Sequence, residues 1–276
     1  MRFLIFAALL ISSRCFAVEG FSTFTNPTPT VIANAVDSVF FLNVLNGKSS
    51  ELGTAFMVGS EVGLNSTKVY FLTTTHSLKS VCSKPGPCPN LFLHQNPVIE
   101  LNSADKKFSF QTKDLSLHNF EIVKVSQNPD LVLVRTIIPS YQARTLKALR
   151  ISKSCEVAPG DKLYAIGFPG AYLRTHVAAF PIEVPNVIIK RWSEGILVEE
   201  SNFKVEKSPG LNDLFATSID SLDGNSGGPI LNEQGEVVGV EKASRATPKN
   251  QYKYTGQEKP GSMDWSSLAV PCKYLS

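Results

Sequence analysis

The segment Asp223-Gly224-Asn225-Ser226-Gly227-Gly228-Pro229-Ile230 sets a serine among glycines, between an apolar run ending near Ile219 and another beginning at Pro229. A nucleophilic serine needs its hydroxyl on a tight loop whose backbone N–H groups can face a developing oxyanion. Flanking glycines allow that backbone shape and the close approach of a substrate. The competing reading is a polar turn, because Gly, Asn and Ser are all turn formers. A serine also needs a base within hydrogen-bond reach, and the base needs an orienting acid. Of the four histidines, His76 closes the β-prone run Tyr70-Phe71-Leu72-Thr73-Thr74-Thr75, whereas His94, His118 and His176 lie in segments without comparable context. Asp130 stands at the mouth of the alternating run Leu131-Val132-Leu133-Val134. Asp114 has no such strand after it, and Asp37 precedes the first strand. Alone, each residue has a structural reading: a core histidine, or an aspartate at a strand start.

The elements that must position these groups are short and β-rich. Runs at 38–45, 53–59, 68–75, 98–102, 107–111, 120–127 and 131–138 are rich in Val, Phe, Thr and Tyr. After Pro159-Gly160 a second set follows at 162–168, 176–184, 187–191, 195–199, 214–219, 229–232 and 236–243. Asn232-Glu233-Gln234-Gly235 reads as a hairpin turn. Residues 141–150 form the best short helix candidate, between the two sets. About six strands, a break and about six more predict an all-β fold of two packed six-stranded antiparallel β-barrels. An immunoglobulin-type sandwich also has many short strands but usually spans about 100 residues. The expected organisation is an extension over 18–36, a first barrel over 37–140 carrying His76 and Asp130, and a second over 141–276 carrying Ser226, with an irregular tail from 245.

Together these residues carry a family resemblance. Gly53-Thr54-Ala55-Phe56 and Phe71-Leu72-Thr73-Thr74-Thr75-His76 resemble the strand pair leading to the histidine of trypsin-like (chymotrypsin-fold) serine proteases. Asp130-Leu131-Val132-Leu133 resembles their aspartate segment, and Gly224-Asn225-Ser226-Gly227-Gly228-Pro229 their nucleophile motif. Tyr164-Ala165-Ile166-Gly167-Phe168-Pro169-Gly170 is similar to the start of the second barrel in bacterial glutamyl endopeptidase and HtrA groups. The order His, Asp, Ser, with gaps of 54 and 96 residues, is that of the chymotrypsin triad.

The resemblance implies His76 as general base, Asp130 as its orienter and Ser226 as nucleophile, with the N–H groups of Gly224 and Ser226 forming an oxyanion hole. The substrate would be protein or peptide, cleaved through an acyl-enzyme without metal or cofactor. It also implies a pocket role for Asp220, six residues before Ser226, with Asp223 at the rim, favouring Arg or Lys before the scissile bond. The alternative for Asp220 is a turn cap or a solvent-facing side chain. The strand Val237-Val238-Gly239-Val240-Glu241 offers no histidine to receive an acidic side chain. Asn225 departs from the pancreatic pattern, where an aspartate pairs with a new N-terminus, so no activation cleavage is expected. The 50 residues after Ser226 leave no room for the PDZ domain of HtrA-type enzymes. The two other readings are a catalytically silent homologue that binds peptides or partners, and an esterase on the same scaffold.

Charge and cysteines bound the rest. The 276 residues carry 27 Lys and Arg against 24 Asp and Glu, without a long basic run, which favours neither nucleic acid nor an anionic membrane surface. Arg2, the apolar residues 3–11 and Cys15-Phe16-Ala17 predict a signal peptide cleaved after Ala17, and hence a secreted or periplasmic protein. Nine apolar residues are too few for a membrane span, which needs about 20. Cys82, Cys88, Cys155 and Cys272 then remain, an even count that predicts two disulfides. Three connectivities are open; Cys82 and Cys88 flank a turn-rich loop that could bring them together, and Cys155 with Cys272 would then tie the second half to the C-terminal tail. Zinc on Cys82, Cys88 and His94 fits no common spacing.

Overall fold

The computed structural model describes residues 28–46, 49–101, 108–111, 114–169, 187–198, 214–221, 224–248 and 263–275. The predicted signal segment, the strand expected at 176–184 and Asp223 lie outside them. A short helix, α1 (Thr30–Ala35), leads into β1 (Val39–Asn46), β2 (Ser49–Val62), β3 (Ser66–Thr73), β4 (Gly86–Cys88), β5 (Leu91–His94) and β6 (Val98–Leu101). Next come β7 (Phe108–Gln111), β8 (Ser116–Leu117), β9 (Phe120–Ser126), β10 (Leu131–Pro139) and the one-turn helix α2 (Ser140–Ala143). The second half holds β11 (Lys162–Gly167), β12 (Val187–Ile188), β13 (Arg191–Ile196), β14 (Phe215–Asp220), β15 (Pro229–Leu231), β16 (Val237–Pro248) and β17 (Met263–Pro271).

These strands form two curled antiparallel sheets, as in a chymotrypsin-like double barrel. The first has eight strands in the order β4-β9-β10-β3-β2-β1-β5-β8; the second has six, β13-β11-β15-β16-β17-β14. The edges of the second meet where Leu197 bridges Thr217 and the Val198 N–H donates to the Ala216 carbonyl at 2.9 Å. A small sheet, β12-β6-β7, joins a strand of the second half to a hairpin of the first.

Strand pleating explains why so many runs are apolar on both faces. Alternate residues of a strand point to opposite sides. On β1, Phe40, Leu42 and Val44 enter the core of the first barrel, while Val39 and Phe41 enter a core shared with the second. On β11, Leu163 and Ala165 fill the second barrel while Tyr164 and Ile166 face the shared core. Phe41 and Phe168 meet there edge to face, ring centroids 5.3 Å apart. Among the described residues no helix is long and apolar enough to cross a membrane.

Three expectations about segment type are corrected. The tail expected to be irregular contains β17, which lies between β16 and β14 and buries Leu268, Ala269 and Val270. The helix expected over 141–150 is only α2. The chain beyond it runs extended: the Leu149 N–H donates to Met57 O at 2.8 Å, and the Val237 N–H donates to Arg150 O at 2.8 Å. Backbone pairing with both barrels overrides local helix preference. Within the extension expected on the surface, α1 sinks Ile32 and Ala35 into the shared core. Disulfides join Cys82 to Cys88 and Cys155 to Cys272, with Cα separations of 5.8 and 5.6 Å.

Candidate active site

Antiparallel pairing of β3 with β10 sets Thr73 opposite Val132, so the chain leaving β3 passes the chain entering β10. Thr75 fastens this junction, its hydroxyl within reach of Leu131 O at 2.8 Å and Ser126 O at 2.6 Å. His76 therefore lands on Asp130. The His76 N–H donates to Asp130 Oδ1 at 3.0 Å, and His76 Nδ1 lies 2.6 Å from Oδ2. With Nδ1 as the donor, the neutral ring leaves Nε2 as a free acceptor. The Asp130 side chain is 8% exposed and that of His76 45%, so the acid is buried and the base faces solvent. Burial pushes the Asp130 carboxyl up. The hydrogen bonds and charge of His76, with the charge of Lys242, outweigh that and hold it below its ordinary value.

Ser226 comes from the other barrel, on the loop joining β14 to β15. Gly224 and Gly227 adopt φ of +100° and +88°, a region that side chains disfavour. At Gly227 a Cβ would lie 2.1 Å from Thr54 O and 2.2 Å from Thr73 Oγ1, so only glycine lets the loop sit so close to the first barrel. Thr54, fully buried on β2, clamps it: its N–H donates to Ser226 O at 2.9 Å and its hydroxyl to Gly224 O at 2.7 Å. A Cβ on Gly53 would lie 3.3 Å from Ser226 O and 3.2 Å from Ser77 Oγ, which places the serine beside the residue following His76. The Ser226 hydroxyl donates to Lys242 O at 3.1 Å, and among the described residues it makes no hydrogen bond to His76. The β16–β17 register shifts between Glu241 and Ala243, a bulge at Lys242 beside that carbonyl.

The other histidines lie apart. His94 Nδ1 meets Ser116 Oγ at 2.8 Å, and burial lowers its pKa. His118 is exposed between β8 and β9, its carbonyl accepting from Thr136 Oγ1 at 2.7 Å; His176 lies outside the described residues. Asp220 ends β14, its carbonyl accepting from Ser193 Oγ at 3.1 Å. Two residues packed against the serine loop escaped the sequence reading. The first is Thr54, seen only as part of a motif. The second is Glu241, an acid directly after the apolar run Val237–Val240 and only 1% exposed. Among the described residues no cluster of three His, Cys, Asp or Glu could hold a metal.

The family model of the trypsin-like peptidase domain matches residues 53–240. No curated protein matches the sequence. Among solved structures, the HtrA-type protease AlgW with a tripeptide is similar at 17% identity and TM-score 0.52, over 88% of this chain and 59% of that one. A variant of AlgW with a tripeptide gives 16% and 0.53, over 89% and 60%. Deg5 gives 14% and 0.50, over 89% and 88%. The chain thus spans about 60% of the length of the AlgW chains. At these identities the structures speak for the fold. The family match covers His76, Asp130 and the whole glycine-flanked serine loop, and this chain belongs to the trypsin-like peptidase domain family.

Proposed function

We propose that the chain is an exported serine endopeptidase that uses His76, Asp130 and Ser226. The two-point grip of Asp130 on His76, beside a serine loop clamped to the same barrel by Thr54, carries this reading. Rotation of Ser226 about χ1 takes its hydroxyl from Lys242 O toward His76 Nε2. The ring then accepts the proton as Ser226 Oγ attacks the substrate carbonyl, and Asp130 stabilises the imidazolium. The oxyanion is received by the N–H groups of Gly224 and Ser226. His76 returns the proton to the leaving amine, and water repeats the sequence on the acyl-enzyme. Substrates are proteins or peptides. Asp220 and Asp223 stand as the groups favouring Arg or Lys before the cut, which a peptide library read with Asp220→Asn tests. The apolar N-terminal run and the two disulfides support export to an oxidising compartment.

The serine hydroxyl resting on Lys242 O rather than on His76 favours one second reading, a silent homologue that binds peptides. Casein digestion and labelling by a fluorescent phosphonate separate the two. Digestion and labelling that vanish in Ser226→Ala support the protease; wild-type protein that neither cleaves nor labels supports the silent reading.

A further inference from the structure

Glu241 and Lys242 hold three consecutive residues of the nucleophile loop. The Ser226 hydroxyl donates to Lys242 O, the Gly227 N–H to Glu241 O at 2.7 Å, and the Glu241 N–H to Gly228 O at 2.8 Å. The Glu241 side chain reaches the same loop further upstream. Its Oε1 accepts from the hydroxyl of Ser221, itself 1% exposed, and the carboxyl lies beside the buried side chain of Asn225. The carboxyl thus ties β16 to the upstream end of the segment that carries Gly224, while the Glu241 backbone holds its downstream end. Its other oxygen, Oε2, is buried and has, among the described residues, neither a hydrogen-bond partner nor a cation beside it. A buried carboxylate with a bare oxygen and no counter-charge is costly, whereas a carboxylic acid is not and gains a donor.

We propose that Glu241 is a positioning residue for the nucleophile loop, holding Ser221 and packing beside Asn225 through a carboxyl group that is neutral in the working enzyme. The proposal rests on the protease reading above. Burial agrees with it: it pushes this pKa up to about 8, against the polar groups of Ser221 and Asn225, which favour the ionised form. Ser221, which holds the carboxyl, and Asn225 beside it are uncharged and do not titrate. Raising the pH through that value places a bare charge between them. The loop then loosens, Ser226 leaves its place opposite His76, and turnover falls while the substrate site is little affected.

The test compares wild type, Glu241→Gln and Glu241→Ala from pH 5 to 10 on one peptide substrate, with phosphonate labelling of Ser226 and urea unfolding. The amide copies the neutral acid and cannot ionise. Wild-type kcat should fall reversibly above about pH 8, approaching ten-fold per pH unit, with KM nearly constant. Glu241→Gln should match wild type at pH 7 and lose that fall, and Glu241→Ala should turn over and label more slowly at every pH. The folded acid holds its proton to higher pH than the unfolded one, so wild type should lose stability from about pH 4.5 to 8 while Glu241→Gln does not. An alkaline fall that persists in Glu241→Gln overturns the proposal. So does an amide variant as impaired as the alanine one, or a preference for Arg or Lys that disappears with the amide, which would make Glu241 a substrate-cation site. In each of these cases the triad stands. If instead wild type shows no turnover at all, the protease reading fails, and the unfolding series still decides the protonation state of Glu241.

Discussion

Thr54 donates its backbone N–H to the carbonyl of Ser226 across the two barrels, at 2.9 Å, while its hydroxyl bridges Gly224 O at 2.7 Å and the Phe168 N–H at 3.2 Å. One buried threonine thus ties the serine loop, the end of β11 and the strand before His76 into a single unit. Thr54→Val keeps the shape and removes the hydroxyl, leaving a buried carbonyl and a buried N–H without it. Stability should fall by about 1–3 kcal/mol. Because Gly224 is freed, kcat should fall more than KM rises. Urea unfolding and steady-state kinetics check this; unchanged kcat would show that the clamp does not position the loop.

His76→Ala should lower kcat by roughly 10⁴-fold or more, as removal of a triad base does. His94→Ala and His118→Ala should leave kcat within about two-fold, since His94 hydrogen-bonds Ser116 and faces the Phe41 ring, while His118 contributes its backbone carbonyl to Thr136. Equal losses at all three positions would dissolve the assignment of His76.

Asp130 sets an acid limit on stability. Its folded carboxyl lies below its ordinary value of 3.8, so across that range the folded state binds fewer protons than the unfolded one. The stabilisation is complete above 3.8 and is lost as pH falls through the lower folded value. Wild type should therefore exceed Asp130→Asn in thermal stability at pH 6, and the gap should close toward pH 2. A gap constant over that interval contradicts the His76 contacts as the source of the lowered value.

The two disulfides close loops of very different size, with sequence separations of 6 and 117. Cross-links that close longer loops restrict the unfolded chain more. Replacing Cys155 and Cys272 together by alanine should cost about 2–5 kcal/mol, and replacing Cys82 and Cys88 together should cost less. The reverse order in urea midpoints would point to strain or to residual structure in the unfolded chain.

How much was legible in the sequence depended on how local each signal was. Phe71-Leu72-Thr73 and Val132-Leu133-Val134 spell their strands in β-prone residues, and they do form the pair that delivers His76 to Asp130. The family resemblance emerged from the same residues that the family match now covers. β17 was invisible because its strand character comes from β14 and β16 on either side, far away in sequence. The helix expected after Tyr141 failed for a similar reason, since Met57 and Val237 capture that backbone. Glu241 was passed over as one polar letter after three valines, and only folding shows that its carboxyl has no route to water.

The core shared by Phe41, Phe168 and their neighbours is also the hinge line of the proposed machinery, with His76 and Asp130 on one side and Ser226 on the other. Turnover therefore gauges how the barrels seat against each other, in addition to whether each is folded. Agents that slip between them, such as low urea or a small apolar solute, would silence the enzyme while its strands remain intact, and washing them out would restore it. Inactivation that runs ahead of unfolding is the behaviour this shared seam builds in.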